Sequence, residues 1–189
     1  MASVLVPLAD GFEEIEAVTV IDLLRRADVE VVVAGLDPGP VAGSHGISVH
    51  SDVHLADALT RDYDMVVLPG GMPGADHLEA DSRLRELLVE MARSERFTAA
   101  ICAAPKVLAA AGLLDGRTAT SFPGFLSSSA TPGLTVSEAP VVIDGKIITS
   151  RGPGTAMDFA LTLIEMLCGP EKRAAVEGRL QRPAGGTVA

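Results

Sequence analysis

Four short apolar runs punctuate the chain: V-L-V-P-L-A at residues 4–9, E-V-V-V-A-G-L at 30–36, Y-D-M-V-V-L at 63–68 and F-T-A-A-I at 97–101. They are continuous rather than alternating, which predicts strands covered on both faces. Pro7 predicts an irregularity in the first, because it has no N–H to give to a ladder. Other stretches carry apolar residues at helical spacing. Residues 11–27 open with Glu13, Glu14 and Glu16 and close with Arg25 and Arg26. That charge order complements a helix dipole and by itself accounts for the acids. The middle of this helix (Ala17, Val18, Val20, Ile21, Leu23, Leu24) is apolar nearly all round. One face is expected to cover the sheet and another to meet a second copy of the chain, giving a homodimer through the first helix. Residues 81–94, with Leu84, Leu87, Leu88 and Met91, predict an amphipathic helix, and the Ala/Leu-rich residues 104–114 another.

The remaining segments are more broken. Residues 37–44 read as loop, and 47–55 alternate loosely, as a short strand or hairpin would. Residues 117–121 predict a strand leading into a polar loop, and 134–137 alternate. V-V-I-D-G-K-I-I-T predicts a hairpin with Asp144-Gly145 in its turn. Thr155 is placed as an N-cap with Asp158 three residues on. The helix that follows runs to Leu167, with Thr155, Asp158, Thr162 and Glu165 on its outer face and Cys168 in the core. Gly169-Pro170 ends it, and a short helix is expected over 171–180. Residues 181–189 are expected to form a flexible tail. With no repeat or linker visible, residues 1–180 read as one domain. The order of strands and helices predicts a three-layer α/β sandwich, its central sheet mostly parallel with a small antiparallel hairpin. Ligands in such folds bind at the carboxyl ends of the strands.

Composition narrows the function. The 189 residues are 48% hydrophobic, enough for a sizeable core. A formal net charge of −10 without a Lys/Arg cluster argues against nucleic-acid or anionic-membrane partners. Tyr63 and five Phe supply no platform for stacked bases. Residues 3–9 are too short to span a membrane and no basic leader precedes them. The two cysteines, Cys102 and Cys168, form no disulfide framework, so a reducing cytoplasm is the expectation. His45, His50 and His54 do not have the spacing of a known ligand set and read as surface histidines, so neither a metal nor a cofactor is expected.

Candidate chemistry centres on Cys102, at the join between an apolar strand and an Ala-rich helix. Ala100 and Ala104 flank it two residues away on each side, the small-x-nucleophile-x-small pattern of a sharp strand-to-helix elbow. Pro105 fits the first helical turn. A helix N-terminus and nearby N–H donors favour the thiolate. On this local pattern a reactive cysteine and a buried, inert one are equally good readings. Gly70, Gly71 and Gly74 follow the third strand, either to bring backbone N–H groups close to a ligand or simply to turn.

Taken in order, G-F-E-E-I-E at residues 11–16, L-P-G-G at 68–71, A-I-C-A-A-P at 100–105 and T-S-R-G-P-G-T at 149–155 cover nearly the whole chain. Together they resemble the ThiJ/PfpI superfamily, of class-I glutamine amidotransferase-like (flavodoxin-like) fold, and within it the parkinsonism-associated deglycase (DJ-one) branch. The resemblance implies that Cys102 is the reactive, oxidation-prone cysteine and Glu16 the acid beside it. It implies backbone N–H groups of Gly71 and Ala103 for an oxyanion, and a pocket lined by Gly70, Phe122, Arg151, Gly152 and Pro153. It also implies a homodimer. Two positions depart from the pattern. Ala103 stands where the protease-like branch has a histidine, which argues against an amidase or peptidase. Phe122 stands where the deglycase branch's best-known members have one, which leaves Glu16 as the base. The implied activity is a glyoxalase or deglycase acting on methylglyoxal, glyoxal or their early glycation adducts, without glutathione or metal. The alternative is a redox-sensing stress protein or holdase in which Cys102 becomes a sulfinate.

Overall fold

The computed structural model describes residues 1–182. The part of the expected flexible tail at residues 183–189 lies outside the described residues. Eleven strands and seven α-helices follow in chain order: β1 (Ser3–Leu8), α1 (Glu14–Arg26), β2 (Glu30–Gly35), β3 (Pro40–Ala42), β4 (Ser48–His50), β5 (Val53–His54), α2 (Leu55–Ala58), β6 (Met65–Leu68), α3 (Gly74–Ala80), α4 (Ser82–Arg93), β7 (Phe97–Ile101), α5 (Pro105–Ala110), β8 (Thr118–Ala119), β9 (Thr135–Val136), β10 (Val141–Asp144), β11 (Ile147–Ser150), α6 (Ala156–Cys168) and α7 (Pro170–Glu177).

Seven strands form one sheet in the order β10-β11-β7-β6-β1-β2-β5. All pairs are parallel except β10–β11, the expected hairpin. The continuous apolar strands are covered on both faces, as their pattern requires. Val4, Val6, Leu8, Val31, Val33, Met65 and Val67 pack on α1, α6 and α7. The intervening Leu5, Val32, Ala34, Val66 and Leu68 pack on α2 to α5. This is the three-layer α/β sandwich.

The irregularity expected at Pro7 takes a particular form. β1 pairs with β2 over all six residues, but with β6 only at Val4↔Met65 and Leu5↔Val66. The β1–β6 ladder thus ends two residues before Pro7, and the sheet opens there. β2 and β6 lie on opposite sides of β1, so the order in which strands are laid down reverses at this opening while all three stay parallel. That reversal defines the crevice in which open α/β sheets bind ligands.

Several elements differ from the sequence pattern. α3 begins inside the glycine-rich turn, a helix too short to show a period of its own. β3 occupies a segment read as loop, where Pro40 sits on the edge of a two-stranded ribbon with β4. β8 and β9 pair with each other rather than extending the main sheet. The β10–β11 turn is Gly145-Lys146, because Asp144 still pairs with Ile147. Thr155 makes no side-chain cap for α6. Its hydroxyl instead donates to the Gly152 carbonyl at 2.9 Å and meets the Ser150 hydroxyl at 2.7 Å, tying down the turn that precedes the helix. Cys168 is only partly buried against the core. Arg182, in the segment expected to fray, is ion-paired to Asp158 at 2.6 Å and Glu177 at 2.9 Å.

Leu24 of α1 has no exposure and packs in the α1–α6 layer. Leu24→Ala is expected to cost about 2–5 kcal/mol in urea unfolding, the range for deleting a buried leucine side chain.

Candidate functional site

Cys102 follows β7 directly and takes a φ of +64°. A left-handed non-glycine residue is strained and persists only where its surroundings over-determine it. Three backbone hydrogen bonds do so. Cys102 N–H donates to the Ser150 carbonyl at 3.0 Å, Ala104 N–H to Ile101 at 3.0 Å, and Phe122 N–H to the Cys102 carbonyl at 2.8 Å. Ala100 and Ala104 have no exposure and Ala103 has 1%, so the elbow has no room for larger side chains. Pro105 takes up the first turn of α5.

Glu16, on the first turn of α1, has no exposure at all. Its Oε2 accepts the Gly70 N–H at 2.8 Å, while Oε1 makes no well-formed hydrogen bond. Gly70 is the meeting point of the three loops. A Cβ there would stand 2.7 Å from Cys102 Cβ and 2.9 Å from both Ala103 N and Glu16 Oε2. Gly71, with a φ of +89°, is equally constrained, since a Cβ would lie 2.3 Å from Glu13 N. Glu16, Gly70, Gly71, Cys102 and Ala103 therefore converge.

Burial, opposed by the Gly70 and Cys102 hydrogen bonds and reinforced by Glu13, raises the Glu16 pKa from 4.5 to about 7. The Cys102 thiol is pushed from 9.0 up to about 12, by burial first and then by the charge of Glu16 and its hydrogen bond. Backbone N–H groups of Ala103 and Gly71 act in the opposite direction on the sulfur. Burial and the Glu16 carboxylate thus outweigh the N–H donors that favour the thiolate: beside an ionised Glu16, the thiol is the stable form. The two groups titrate as a pair, and a protonated Glu16 removes the repulsion and can donate to the sulfur.

Phe122, Arg151, Gly152 and Pro153 line a recess with Pro123, Gly154 and Thr155. Its walls hang from the elbow through the Phe122–Cys102 and Cys102–Ser150 hydrogen bonds. Gly70, expected in the same lining, instead sits between Glu16 and the elbow. Sequence reasoning missed Ser150 as an anchor, since a backbone carbonyl carries no residue-type signal.

The acids of the first turn do more than complement a dipole. Glu13 and Glu14 are 7% and 5% exposed. Glu14 accepts the His45 N–H at 2.7 Å and the Ile47 N–H at 3.3 Å, and its Oε2 lies 3.0 Å from His45 Nδ1. Burial works to raise its pKa, but these bonds outweigh it and hold the carboxyl down at about 2. The Glu14 carboxylate in turn raises the pKa of the His45 ring. The histidine spacing showed no acidic partner, whereas the fold brings donor atoms of Glu13, Glu14 and His45 within 4.8 Å of one another. They clasp residues 44–47 to α1.

A cysteine on a strand-to-helix elbow, with a buried carboxyl across a glycine, defines a cysteine-centred α/β sandwich. The chain belongs to the DJ-1/PfpI family, whose profile matches residues 2–166. It is 42% identical over 180 residues to Protein DJ-1 homolog A of Arabidopsis thaliana, covering 94% of this chain and 46% of that protein, so the chain spans about half that relative's length. Glutathione-independent glyoxalase DJR-1.2 of Caenorhabditis elegans is 37% identical over 171 residues, 90% of each chain. A crystal structure of Drosophila melanogaster DJ-1beta superposes with a TM-score of 0.89 at 40% identity, covering 95% of this chain and 97% of that one. Among the described residues, no helix is long and apolar enough to cross a membrane.

The raised Glu16 pKa makes stability depend on pH. Below about pH 4.5 the carboxyl is neutral in folded and unfolded chains alike. As pH rises, the unfolded chain releases this proton first, so stability falls between 4.5 and about 7 and the deficit is constant above. Over that interval the loss is about 3 kcal/mol. Glu16→Gln is expected to exceed wild type by that order in urea unfolding at pH 8 and to match it at pH 4. The same difference at both pH values would refute the assignment.

Proposed function

We propose that the protein is a cysteine-dependent glyoxalase that converts methylglyoxal or glyoxal to the hydroxy acid, with Cys102 as nucleophile and Glu16 as general acid and base. One observation carries the reading: a fully buried carboxyl, poised near neutrality, sits one glycine away from an elbow cysteine. At neutral pH such a group is present in both protonation states, so it can accept a proton and return it. The thiol that glutathione would otherwise supply belongs to the protein.

Glu16 takes the Cys102 proton as the sulfur adds to the aldehyde carbon and passes it to the new alkoxide oxygen, giving a neutral hemithioacetal and restoring the carboxylate. Backbone N–H groups of Gly71 and Ala103, which already act on the sulfur, stabilise negative charge on the adjoining oxygen. The Glu16 carboxylate then removes the proton from the former aldehyde carbon and delivers it to the neighbouring one through an enediol. The product is a thioester of the hydroxy acid, which water hydrolyses to restore the thiol. The sum is one water added per aldehyde, with no external oxidant. Early glycation adducts are open to the same sulfur attack, which makes deglycation a related activity. The name of the Caenorhabditis elegans relative supports the glyoxalase reading.

A second reading draws on the same surroundings. Gly71 and Ala103 N–H groups and a protonated Glu16 also suit the oxygens of a sulfinate, so peroxide oxidation of Cys102 is proposed as a stress-sensing state. We further propose that the chain acts as a homodimer through α1, where Ile15 and Val18 are 56% and 48% exposed one turn apart.

Purified, reduced protein with methylglyoxal is expected to form lactate without glutathione, and Cys102→Ser and Glu16→Gln each to lower kcat by at least about 100-fold. Consumption of methylglyoxal without lactate would mean adduct formation alone and would sink the glyoxalase reading. The mass of Cys102 after peroxide then tests the second. Ile15→Glu with Val18→Glu is expected to shift the protein to a monomer in light scattering.

A further inference from the structure

The recess beside the elbow has a volume of about 350 Å³. One wall is Phe122 and Pro123, and the other is the turn through Arg151, Gly152 and Pro153 to Thr155. Both walls are hydrogen-bonded to the peptide groups of the nucleophile: Phe122 N–H donates to the Cys102 carbonyl at 2.8 Å, and Cys102 N–H donates to Ser150, which precedes Arg151. Cys102 does not itself line the recess; these two backbone hydrogen bonds are what join the recess to the elbow.

The chemistry of the walls is mainly apolar. Phe122 is 46% exposed, which leaves apolar surface at the recess that a ligand could cover. It is held edge-to-face on Phe125, with ring centroids 6.3 Å apart. Across the recess, a Cβ added to Gly152 would approach the ring to 3.4 Å, whereas one on Gly154 would meet nothing within 4 Å. The ring thus rests on one glycine while the space beside the other stays open. Pro123 and Pro153 restrict the backbone of both walls, so little ordering remains for a ligand to impose. No carboxylate lines the recess, and the Arg151 guanidinium is turned to the Glu138 carbonyl at 3.3 Å.

We propose that this recess is the substituent subsite of the cysteine centre and that it selects 2-oxoaldehydes bearing an aromatic group over methylglyoxal. The inference rests on the glyoxalase reading for its reaction. With the aldehyde carbon on Cys102, the substituent on the neighbouring carbonyl is the part that reaches Phe122 and the two prolines. A methyl group leaves most of that surface wet, whereas a phenyl ring covers it and stacks on Phe122. The residue that departs from the deglycase-branch pattern thereby sets specificity and transfers no proton.

The test is a comparison of phenylglyoxal with methylglyoxal, measuring mandelate and lactate as products. Wild type is expected to favour phenylglyoxal in kcat/KM by about tenfold, a difference residing mainly in KM. Phe122→Ala is expected to abolish the preference and Phe122→Tyr to retain it. A second readout needs no turnover: protection of Cys102 from iodoacetamide by phenylglyoxylate or pyruvate. Phenylglyoxylate is expected to protect at about tenfold lower concentration in wild type and to lose that advantage in Phe122→Ala. Turnover of both aldehydes at equal kcat/KM, unchanged in Phe122→Ala, would overturn the subsite and leave the glyoxalase reading standing. Selective protection without turnover of either aldehyde would uphold the subsite and remove the glyoxalase reading. Equal protection by the two acids, with no turnover, would overturn both.

Discussion

Burial of the Glu16 carboxyl is the constraint on which the rest of the centre depends. A carboxyl with no exposure must be neutral or well hydrogen-bonded, and Glu16 finds one backbone donor, Gly70, on a different loop. That bond holds the end of β6 against the first turn of α1. The contact works only because residue 70 has no side chain: a Cβ would collide with Cys102, Ala103 and Glu16 at once. The strained elbow then brings the sulfur to the other side of the carboxyl, anchored through Ser150 and Phe122.

The electrostatics follow from this packing. Two groups that are each costly to ionise in a buried place share a small space, so one charge is tolerated more readily than two. In the proposed mechanism the pair stores a single mobile proton. A thiol at rest and a nucleophile on demand are compatible in that arrangement, because moving the proton to Glu16 removes the repulsion as the sulfur gains charge. The same economy of charge explains why backbone N–H groups, which carry no net charge, provide the remaining stabilisation at Gly71 and Ala103.

Much of this was legible in the chain. The four apolar runs became central strands because continuous burial on both faces leaves a continuous apolar record. The elbow was legible because its crowding demands small residues at 100 and 104. The four motifs in their order identified the family. What the pattern hid was local and context-bound. The helix Gly74–Ala80 is too short to display a period, and Thr155 spends its hydroxyl on the preceding turn rather than on a cap. Glu13 and Glu14 looked like ordinary helix-start acids, yet the fold lays residues 44–47 over them and makes Glu14 an interior acceptor.

The sequence by itself determined the layers and the place of Cys102 at the strand-to-helix elbow, because these depend on side-chain size, polarity and periodicity. Tertiary structure alone decided the protonation of the centre and the character of its mouth. A pKa depends on what is buried nearby and what donates to it, and those neighbours come from the first turn of α1 (residue 16), the loop after β6 (70 and 71) and the elbow after β7 (102 and 103). Whether Phe122 is a core residue or an exposed wall likewise has no local signature. It follows from where the Phe122–Cys102 hydrogen bond places the ring relative to Gly152.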